Sequence, residues 1–336
     1  RSAVPGAWQY QLAPNGSRNL VVWRENVEED EGRVRAAVMA QQLSHEGNFL
    51  GEPLELAEGV TPGVAAHGDG WLVTWTRPMD ERLQYLVVGA DGLPSGEPRL
   101  IAEPILEPGF RSPQVNPSFV RVKSSVTLIF WQEGDFQSGP CRIICGTPAG
   151  PGKIRGIQIE DGIVDEDSLR SYPAEVPRIR PVAEMMEDRI LLTFLEQNAP
   201  VLRGLFLDPK GEPISSEFPV SSETHRADGG STPSIVAFDD AFVVVWDRSV
   251  RNDSGSEILG AIVRHSDSQA DVEQFLLSDY VAGGRFSTAK RIGPSSLVVI
   301  YDRPVEGGGY GGTWQIVARQ VTIDVPSERG RLLRRR

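Results

Sequence analysis

One phrase of sequence recurs about six times along this chain, and it constrains what the chain can fold into. In its clearest copy, residues 233–248 (PSIVAFDDAFVVVWDR), a proline opens an alternating apolar segment, and a polar turn follows. A β-branched run then ends on a bulky aromatic and a charged pair. A phrase that repeats on this scale indicates a row of supersecondary units. Further copies occupy residues 8–25, 62–77, 117–133, 181–196 and 286–303.

The aromatic that closes each copy sets the period. Successive closing residues are separated by 52, 56, 63, 52 and 55 positions; they are Trp23, Trp75, Trp131, Phe194, Trp246 and Tyr301. Periods of about 40–50 residues with several strand signals per unit are typical of β-propeller blades. The sequence therefore predicts an all-β fold, a β-propeller of six four-stranded blades. A pair of β-sandwiches would not need one phrase six times, and the rungs of a β-helix are much shorter.

Four strands can be read inside one unit. In the fifth they are residues 234–238, 241–247, 257–264 and 272–278, each short and rich in β-branched or aromatic residues. The second strand (FVVVW) is apolar on both faces, as a strand buried between two layers must be. Glycine supplies the positive φ that tight turns need, so three dipeptides predict the turn from third to fourth strand. They are Glu46-Gly47, Asp91-Gly92 and Lys210-Gly211.

We predict that residues 1–336 form a single propeller domain. The blades are expected at about 7–59, 60–108, 109–159, 176–223, 224–280 and 281–328. The acidic stretch 160–175 (EDGIVDEDSLRSYPAE) is interpreted as a surface loop, which would account for the gap of 63. Residues 329–336 (RGRLLRRR) form a basic tail that either pairs with an acidic surface or frays.

Composition excludes two classes of protein. The formal net charge is −12 and the pI about 5.0, whereas nucleic-acid binding needs a basic footprint. No apolar run approaches the roughly 18–20 residues of a membrane span. Because the chain begins at Arg1, we expect a processed product and infer an extracellular, cell-surface or periplasmic location.

The chain offers weak metal signals and no cofactor motif. Cys141 and Cys145 lie in one predicted strand about 13 Å apart, too far for a disulfide between them, so buried free thiols are expected. Residues 26–32 (NVEEDEG) carry four carboxylates that offer oxygen ligands for Ca²⁺, although a solvated charge run is the alternative. We predict no cofactor otherwise.

No catalytic motif is visible. The four histidines are scattered, and neither G-x-S-x-G nor H-E-x-x-H occurs. We therefore expect a protein that is not an enzyme but an interaction module for another protein or a glycan, or a subunit of an extracellular assembly. Its partner face would comprise the loops 26–32, 250–256 and 306–312, the last of which presents Tyr310.

Three arginines follow the second strand at the same register, namely Arg77, Arg248 and Arg303. In a propeller these positions share one face, so the three guanidinium groups are candidates to converge on a carboxylate ligand. The alternative is that each pairs with a neighbouring acid such as Asp247 or Asp302.

The repeat P-x-V-A … L-V-V-W-x-x-R … I-x-G-x-x-V … D-x-x-G resembles the propeller repeats of many exported bacterial proteins and lipoproteins. That resemblance covers nearly all the chain and implies a fold without a catalytic role. The three arginines resemble the triad of the six-bladed sialidases, which implies a sialidase-like or other glycoside hydrolase or lyase with a central pocket as the alternative function. The S-x-D-x-G-x-x-W turns of that family are absent, and the nearest string, residues 252–257 (NDSGSE), has a different order.

Overall fold

The computed structural model describes residues 7–29, 33–105, 112–134, 152–172, 176–196, 201–222, 232–249, 255–266, 269–277, 281–282, 287–304 and 314–323. The regular elements in these ranges are β-strands, arranged in six antiparallel sheets. None of these ranges contains a helix long and apolar enough to cross a membrane. The chain divides into two compact units, Arg1–Pro181 and Val182–Arg336.

The first unit holds three four-stranded sheets. In each, strands adjacent in sequence are adjacent in space. Sheet 1 is β1 (Ala7–Asn15), β2 (Arg18–Glu28), β3 (Val34–Ser44) and β4 (Phe49–Glu58). Sheet 2 is β5 (Val60–His67), β6 (Gly70–Thr76), β7 (Leu83–Val88) and β8 (Arg99–Leu100). Sheet 3 is β9 (Gln114–Lys123), β10 (Val126–Glu133), β11 (Lys153–Glu160) and β12 (Ile163–Tyr172).

The second unit holds the remaining sheets, with β13 crossing the boundary between the units. Sheet 4 is β13 (Arg178–Met186), β14 (Arg189–Glu196), β15 (Leu202–Leu207) and β16 (Phe218–Pro219). Sheet 5 is β17 (Ser234–Ala237), β18 (Phe242–Ser249), β19 (Gly255–Ser266) and β20 (Gln269–Leu276), and β21 (Val281–Ala282) also pairs with β19. Sheet 6 shows three strands in the described ranges, β22 (Ser287–Gly293), β23 (Ser296–Pro304) and β24 (Trp314–Thr322).

The second strands of sheets 2 and 3 are the most deeply buried strands of those sheets. Every residue of β6 and of β10 is buried, on both faces of the strand. That burial explains the continuous β-branched and aromatic runs of the repeat, since a strand covered on both sides cannot alternate. The closing aromatics Trp75, Trp131, Phe194 and Trp246 are fully buried.

The predicted glycine turns are confirmed. Gly47, Gly92 and Gly211 have φ values of 83°, 84° and 83°. Residues other than glycine rarely adopt this left-handed region, so these dipeptides fix where the third strand ends.

Two loop assignments from the sequence are wrong. Residues 160–175, interpreted as an acidic loop, contain β12, the fourth strand of sheet 3. The long gap arises earlier, because β10 ends at Glu133 and β11 begins at Lys153. An outer strand needs only one buried face, so the charges of β12 are compatible with pairing. The first residues of the run 26–32 belong to β2, which continues to Glu28.

Candidate functional site

Three residues other than glycine in the first unit have a left-handed backbone conformation. They occupy equivalent places in the first strands of sheets 2, 3 and 4. Thr61, Asn116 and Arg180 have φ values of 49°, 53° and 56°, and each directly precedes a proline of the repeat. Asparagine tolerates this region, but a β-branched threonine is a clear outlier there. A residue before proline is also restricted to extended conformations. Strain of this kind persists only where the surrounding structure enforces it, and it clusters at functional sites.

A β-bulge accounts for the strain in sheets 2 and 3. Val60 pairs with Thr76 and Gly63 with Thr74, so two residues of β5, Thr61 and Pro62, lie opposite the single Trp75. In β9 the same shift places Asn116 and Pro117 opposite Trp131. A bulge leaves its extra residue unpaired and bends the strand. Proline has no N–H to donate, which suits it to that unpaired position.

Side chains of neighbouring sheets meet at these bulges. The Thr61 hydroxyl lies 2.9 Å from the Thr76 hydroxyl, and Thr76 Oγ1 donates to Gln114 O at 2.6 Å. Asn116 Nδ2 donates to Gln132 Oε1 at 3.1 Å, and the same oxygen accepts from the Arg180 N–H at 3.2 Å. We call this edge of the first unit the rim; it comprises Thr61, Thr76, Arg77, Asn116, Gln132 and Arg180.

A buried carboxylate lies beneath the rim. Glu133, 2% exposed, accepts hydrogen bonds from Arg155 Nη1 at 2.7 Å and from Trp131 Nε1 and Gln114 Nε2 at 3.3 Å each. It also accepts one from the Ile105 N–H. With four donors around it, this carboxylate is a structural anchor rather than a group that exchanges protons with a substrate.

Arg155 and Gln114 belong to the same buried network as Glu133. We call these three residues, Gln114, Glu133 and Arg155, the floor. Arg155 also donates to Glu103 O at 2.8 Å, and its guanidinium lies 5.4 Å from the centre of the Trp131 ring. Gln114 is fully buried; its side chain accepts from the Leu83 N–H at 2.8 Å and donates to Ala102 O at 3.2 Å. The floor therefore joins sheets 2 and 3 through buried hydrogen bonds.

A chain of exposed charges borders the rim. Arg77 forms a two-point ion pair with Asp80, and Arg82 reaches both Asp80 at 3.5 Å and Glu103 at 3.2 Å. The guanidinium of Arg77 lowers the pKa of Asp80, and Asp80 in turn raises the pKa of Arg77. Asp80 is therefore ionised at neutral pH. The side chain of Arg77 is 41% exposed, so a ligand can reach it.

The predicted arginines lie in different units. Arg77 is in the first unit and pairs with Asp80, a neighbouring acid. Arg248 is in the second unit and pairs with Glu257 of the adjacent strand. Arg303 ends β23, but its side chain lies outside the described residues, as does Tyr310. Convergence of the three guanidinium groups stays a prediction.

Most of the predicted partner loops also lie outside the described ranges. This applies to residues 30–32, 250–254 and 305–313, and to the segment 135–151 with both cysteines. Glu29, from the proposed calcium loop, pairs with Arg35 at 2.8 Å. In the part of the chain that the structure describes, no three His, Cys, Asp or Glu side chains group as a metal site.

The second unit contains a carboxyl group whose pKa is raised, whereas that of Asp80 is lowered. Glu184 on β13 is half-buried, and burial raises its pKa, while the charge of Lys290 on β22 acts in the opposite direction. A carboxyl with a raised pKa is the kind of group that can donate a proton near neutral pH.

Sequence analysis missed the floor and the rim except for Arg77. Glu133 and Arg155 are 22 positions apart, and no local motif connects them. One signal was available: the position two after the closing aromatic is charged in every copy of the repeat. It is acidic in three sheets and basic in three, at Glu25, Arg77, Glu133, Glu196, Arg248 and Arg303.

No known protein family matches the sequence, and no curated protein does. Solved structures do resemble the fold. A neuraminidase-like protein of A/little yellow-shouldered bat/Guatemala matches with a TM-score of 0.57 and 7% identity over 94% of each chain. A protein of unknown function from Dyadobacter fermentans matches with a TM-score of 0.57 and 10% identity over 95% of each chain. A Hadza microbial sialidase matches with a TM-score of 0.50 and 11% identity, over 89% of this chain and 63% of its own.

Together with the six antiparallel sheets, these likenesses confirm the predicted fold class: the chain is an all-β propeller. They also correct the expectation that it is not an enzyme, since proteins named as a sialidase and as neuraminidase-like resemble it over most of its length. The absence of local catalytic motifs did not justify the expectation that the chain is not an enzyme. In a propeller, functional side chains come from separate blades, so they need not be close in sequence.

Proposed function

We propose that this chain is a glycan-processing enzyme of the glycoside hydrolase or lyase type that binds its saccharide at the rim. The observation that carries the proposal is the strained backbone of Thr61, Asn116 and Arg180, repeated in three consecutive sheets over a rigid buried floor. Bulges that hold polar side chains on strained backbone at equivalent places are features that concentrate at functional sites. The fold likeness to a sialidase supports the choice of glycans.

The chemistry of the rim suits a sugar. Saccharide hydroxyls both donate and accept hydrogen bonds, and the rim provides hydroxyl, amide and guanidinium groups. Hydrogen bonds within the rim hold the side chains of Thr61 and Asn116 in advance, so less conformational entropy is lost when a ligand binds. A polar site of this kind binds through hydrogen bonds at defined positions, which favours specificity.

Cleavage of a glycosidic bond needs a proton donor and a second carboxylate. The lowered pKa of Asp80 makes it suited to remain ionised and stabilise positive charge on the sugar ring. We assign the role of the second carboxylate to Asp80, which Arg77 holds in place through their ion pair. An extracellular, cell-surface or periplasmic location is part of the same proposal.

The test is a screen of the full chain against fluorogenic glycosides, sialic acid and arabinofuranose derivatives included, and against natural oligosaccharides followed by mass spectrometry. The rim variants are Asn116→Gly and Arg180→Gly, which remove a polar side chain where glycine is the best-suited residue. Lys123→Ala, at the far end of β9, is the matched control. We expect kcat/KM to fall at least tenfold in both rim variants and to be unchanged in the control.

Turnover of no glycan by the wild-type chain would overturn the proposal. So would turnover that neither rim variant reduces. Asp80→Asn then tests the role assigned to this carboxylate, since loss of kcat with KM unchanged is expected when a group acts on the transition state.

A further inference from the structure

A groove of about 580 Å³ lies in the first unit, away from the rim. Three hairpin turns of sheets 1 and 2 surround it, those between β1 and β2, β5 and β6, and β7 and β8. The rim is at the end of β6 and the groove at its start, about 20 Å apart for a strand of this length. The lining residues are Asn15, Gly16, Ser17, Arg18, Asp69, Trp71, Ala90 and Asp91.

The groove is preformed because hydrogen bonds tie its turns together. Asn15 Nδ2 donates to Gly70 O at 2.5 Å, which joins the first two turns. Arg18 Nη1 and Gln42 Nε2 each donate to Ala90 O at 2.9 Å, which joins the third turn to sheet 1. Gly92 packs so closely on Gln42 that a Cβ there would lie 2.8 Å from its side chain.

The groups that face the groove are of the kind that binds neutral sugars. Asp69 and Asp91 are exposed carboxylates, which accept hydrogen bonds, and Arg18 and Ser17 supply donors. Planar carboxylate and guanidinium groups form two parallel hydrogen bonds, which matches a pair of adjacent sugar hydroxyls. Trp71 and Ala90 add apolar wall, and sites for small ligands combine such walls with a few polar groups.

The net charge of the groove restricts the class of ligand that it can bind. Two carboxylates and one guanidinium give the groove a net charge of −1, and the chain carries −12, so an anion is disfavoured. A cation would be repelled by the guanidinium of Arg18. We propose that this groove is a second saccharide-binding site, separate from the rim, that binds a neutral sugar unit.

The probes are the methyl glycosides of mannose, galactose and glucose, tested by saturation-transfer NMR on the full chain. The groove variant is Asp69→Ala. Its matched control is Asp188→Ala, which changes the equivalent position of the turn between β13 and β14, outside the groove. Asn116→Gly serves as the rim control. Thermal unfolding of each variant confirms that the fold is retained.

We expect at least one neutral glycoside to bind the wild-type chain, with affinity at least tenfold weaker in Asp69→Ala and unchanged in both controls. Arg18→Gln should weaken binding as well. Absence of transfer to every neutral glycoside, equal binding by Asp69→Ala, or binding of only amino or acidic sugars would overturn the proposal. Glycan turnover by Asp69→Ala is expected to match the wild type. Failure of the groove proposal is therefore distinguishable from failure of the proposal that the rim is the active site.

Discussion

Two interfaces between neighbouring sheets, one in each unit, differ in the kind of contact that holds them. We call these interfaces joints. The joint between sheets 2 and 3 packs apolar residues such as Leu72 and Ile129, but at the rim it buries the Glu133–Arg155 ion pair. The joint between sheets 5 and 6 is an apolar cluster that includes Val243, Leu297 and Val299. Its ion pair, Arg291 with Asp239, lies at the surface.

The difference shows what each joint does for the protein. Apolar packing is non-directional and tolerates small shifts of one sheet against the other. A buried carboxylate with four donors fixes the position of every partner, because a shift would leave a polar group unpaired without water. The joint beneath the rim is thus the one that can hold the proposed site in a fixed geometry, whereas the apolar joint contributes stability through burial.

Breaking the buried pair should have the largest effect. Glu133→Gln leaves the Arg155 charge uncompensated in the interior, which typically costs about 3–5 kcal/mol of unfolding free energy. Denaturant unfolding monitored by tryptophan fluorescence measures it.

The paired replacement Glu133→Leu with Arg155→Met is the control. In a simple buried pair, such a replacement is often neutral. Here it should remain destabilising, because Trp131 Nε1 and the Ile105 N–H lose their acceptor. A neutral double variant would show that the floor is an ordinary ion pair.

Leu297→Ala tests the apolar joint. Leu297 is fully buried in the cluster of sheets 5 and 6, and truncation of a buried leucine costs about 3 kcal/mol through lost transfer energy and a cavity. We expect thermal unfolding to show this loss of stability. Turnover at the rim should be unchanged at temperatures where the variant is folded. A specific loss of kcat/KM in the folded variant would contradict the division of roles.

His67 should make the joint of sheets 2 and 3 sensitive to acid. Its Nδ1 lies 2.9 Å from Thr127 Oγ1, and its Nε2 accepts from the Gly162 N–H at 3.0 Å, so the ring is neutral. Burial lowers its pKa, Arg121 lowers it further, and Asp161 acts in the opposite direction.

A histidine with a lowered pKa binds its proton more readily in the unfolded chain. Stability is therefore complete above the unfolded pKa of about 6.5 and falls as the pH drops below it, by at most about 1.4 kcal/mol per pH unit. Urea unfolding between pH 5 and 7.5 should show a steeper dependence in the wild type than in His67→Gln. Equal slopes would remove the role assigned to this histidine.

The partly exposed counterpart of the buried pair should matter least. Arg248 and Glu257 occupy sheet 5, where the first follows the closing Trp246 by two residues, as Glu133 follows Trp131. Their side chains are 25% and 20% exposed, so solvent screens the pair. Glu257→Gln should cost no more than about 1 kcal/mol in denaturant unfolding. A loss as large as that of Glu133→Gln would show that burial is not what separates the two pairs.

The repeat made the sheets predictable. Strands β17 to β20 lie within a few residues of their expected positions, since apolar runs bounded by turn residues leave few other pairings. The prediction failed at β12, whose sequence DEDSLRSY lacks the apolar alternation of an exposed strand. Its pairing with β11 is imposed by the neighbouring strand, and local propensity did not reveal it.

The sequence by itself determined the number of repeating units, the strands that are buried on both faces, and the prolines that mark four of the first strands. These follow from short-range patterns, because strand periodicity and turn chemistry act over a few residues. Only the tertiary structure decided that Gln114, Glu133 and Arg155 share one buried network and that three turns enclose a groove. Those contacts join residues far apart in the chain, and their energies depend on burial, which exists only once the sheets have packed.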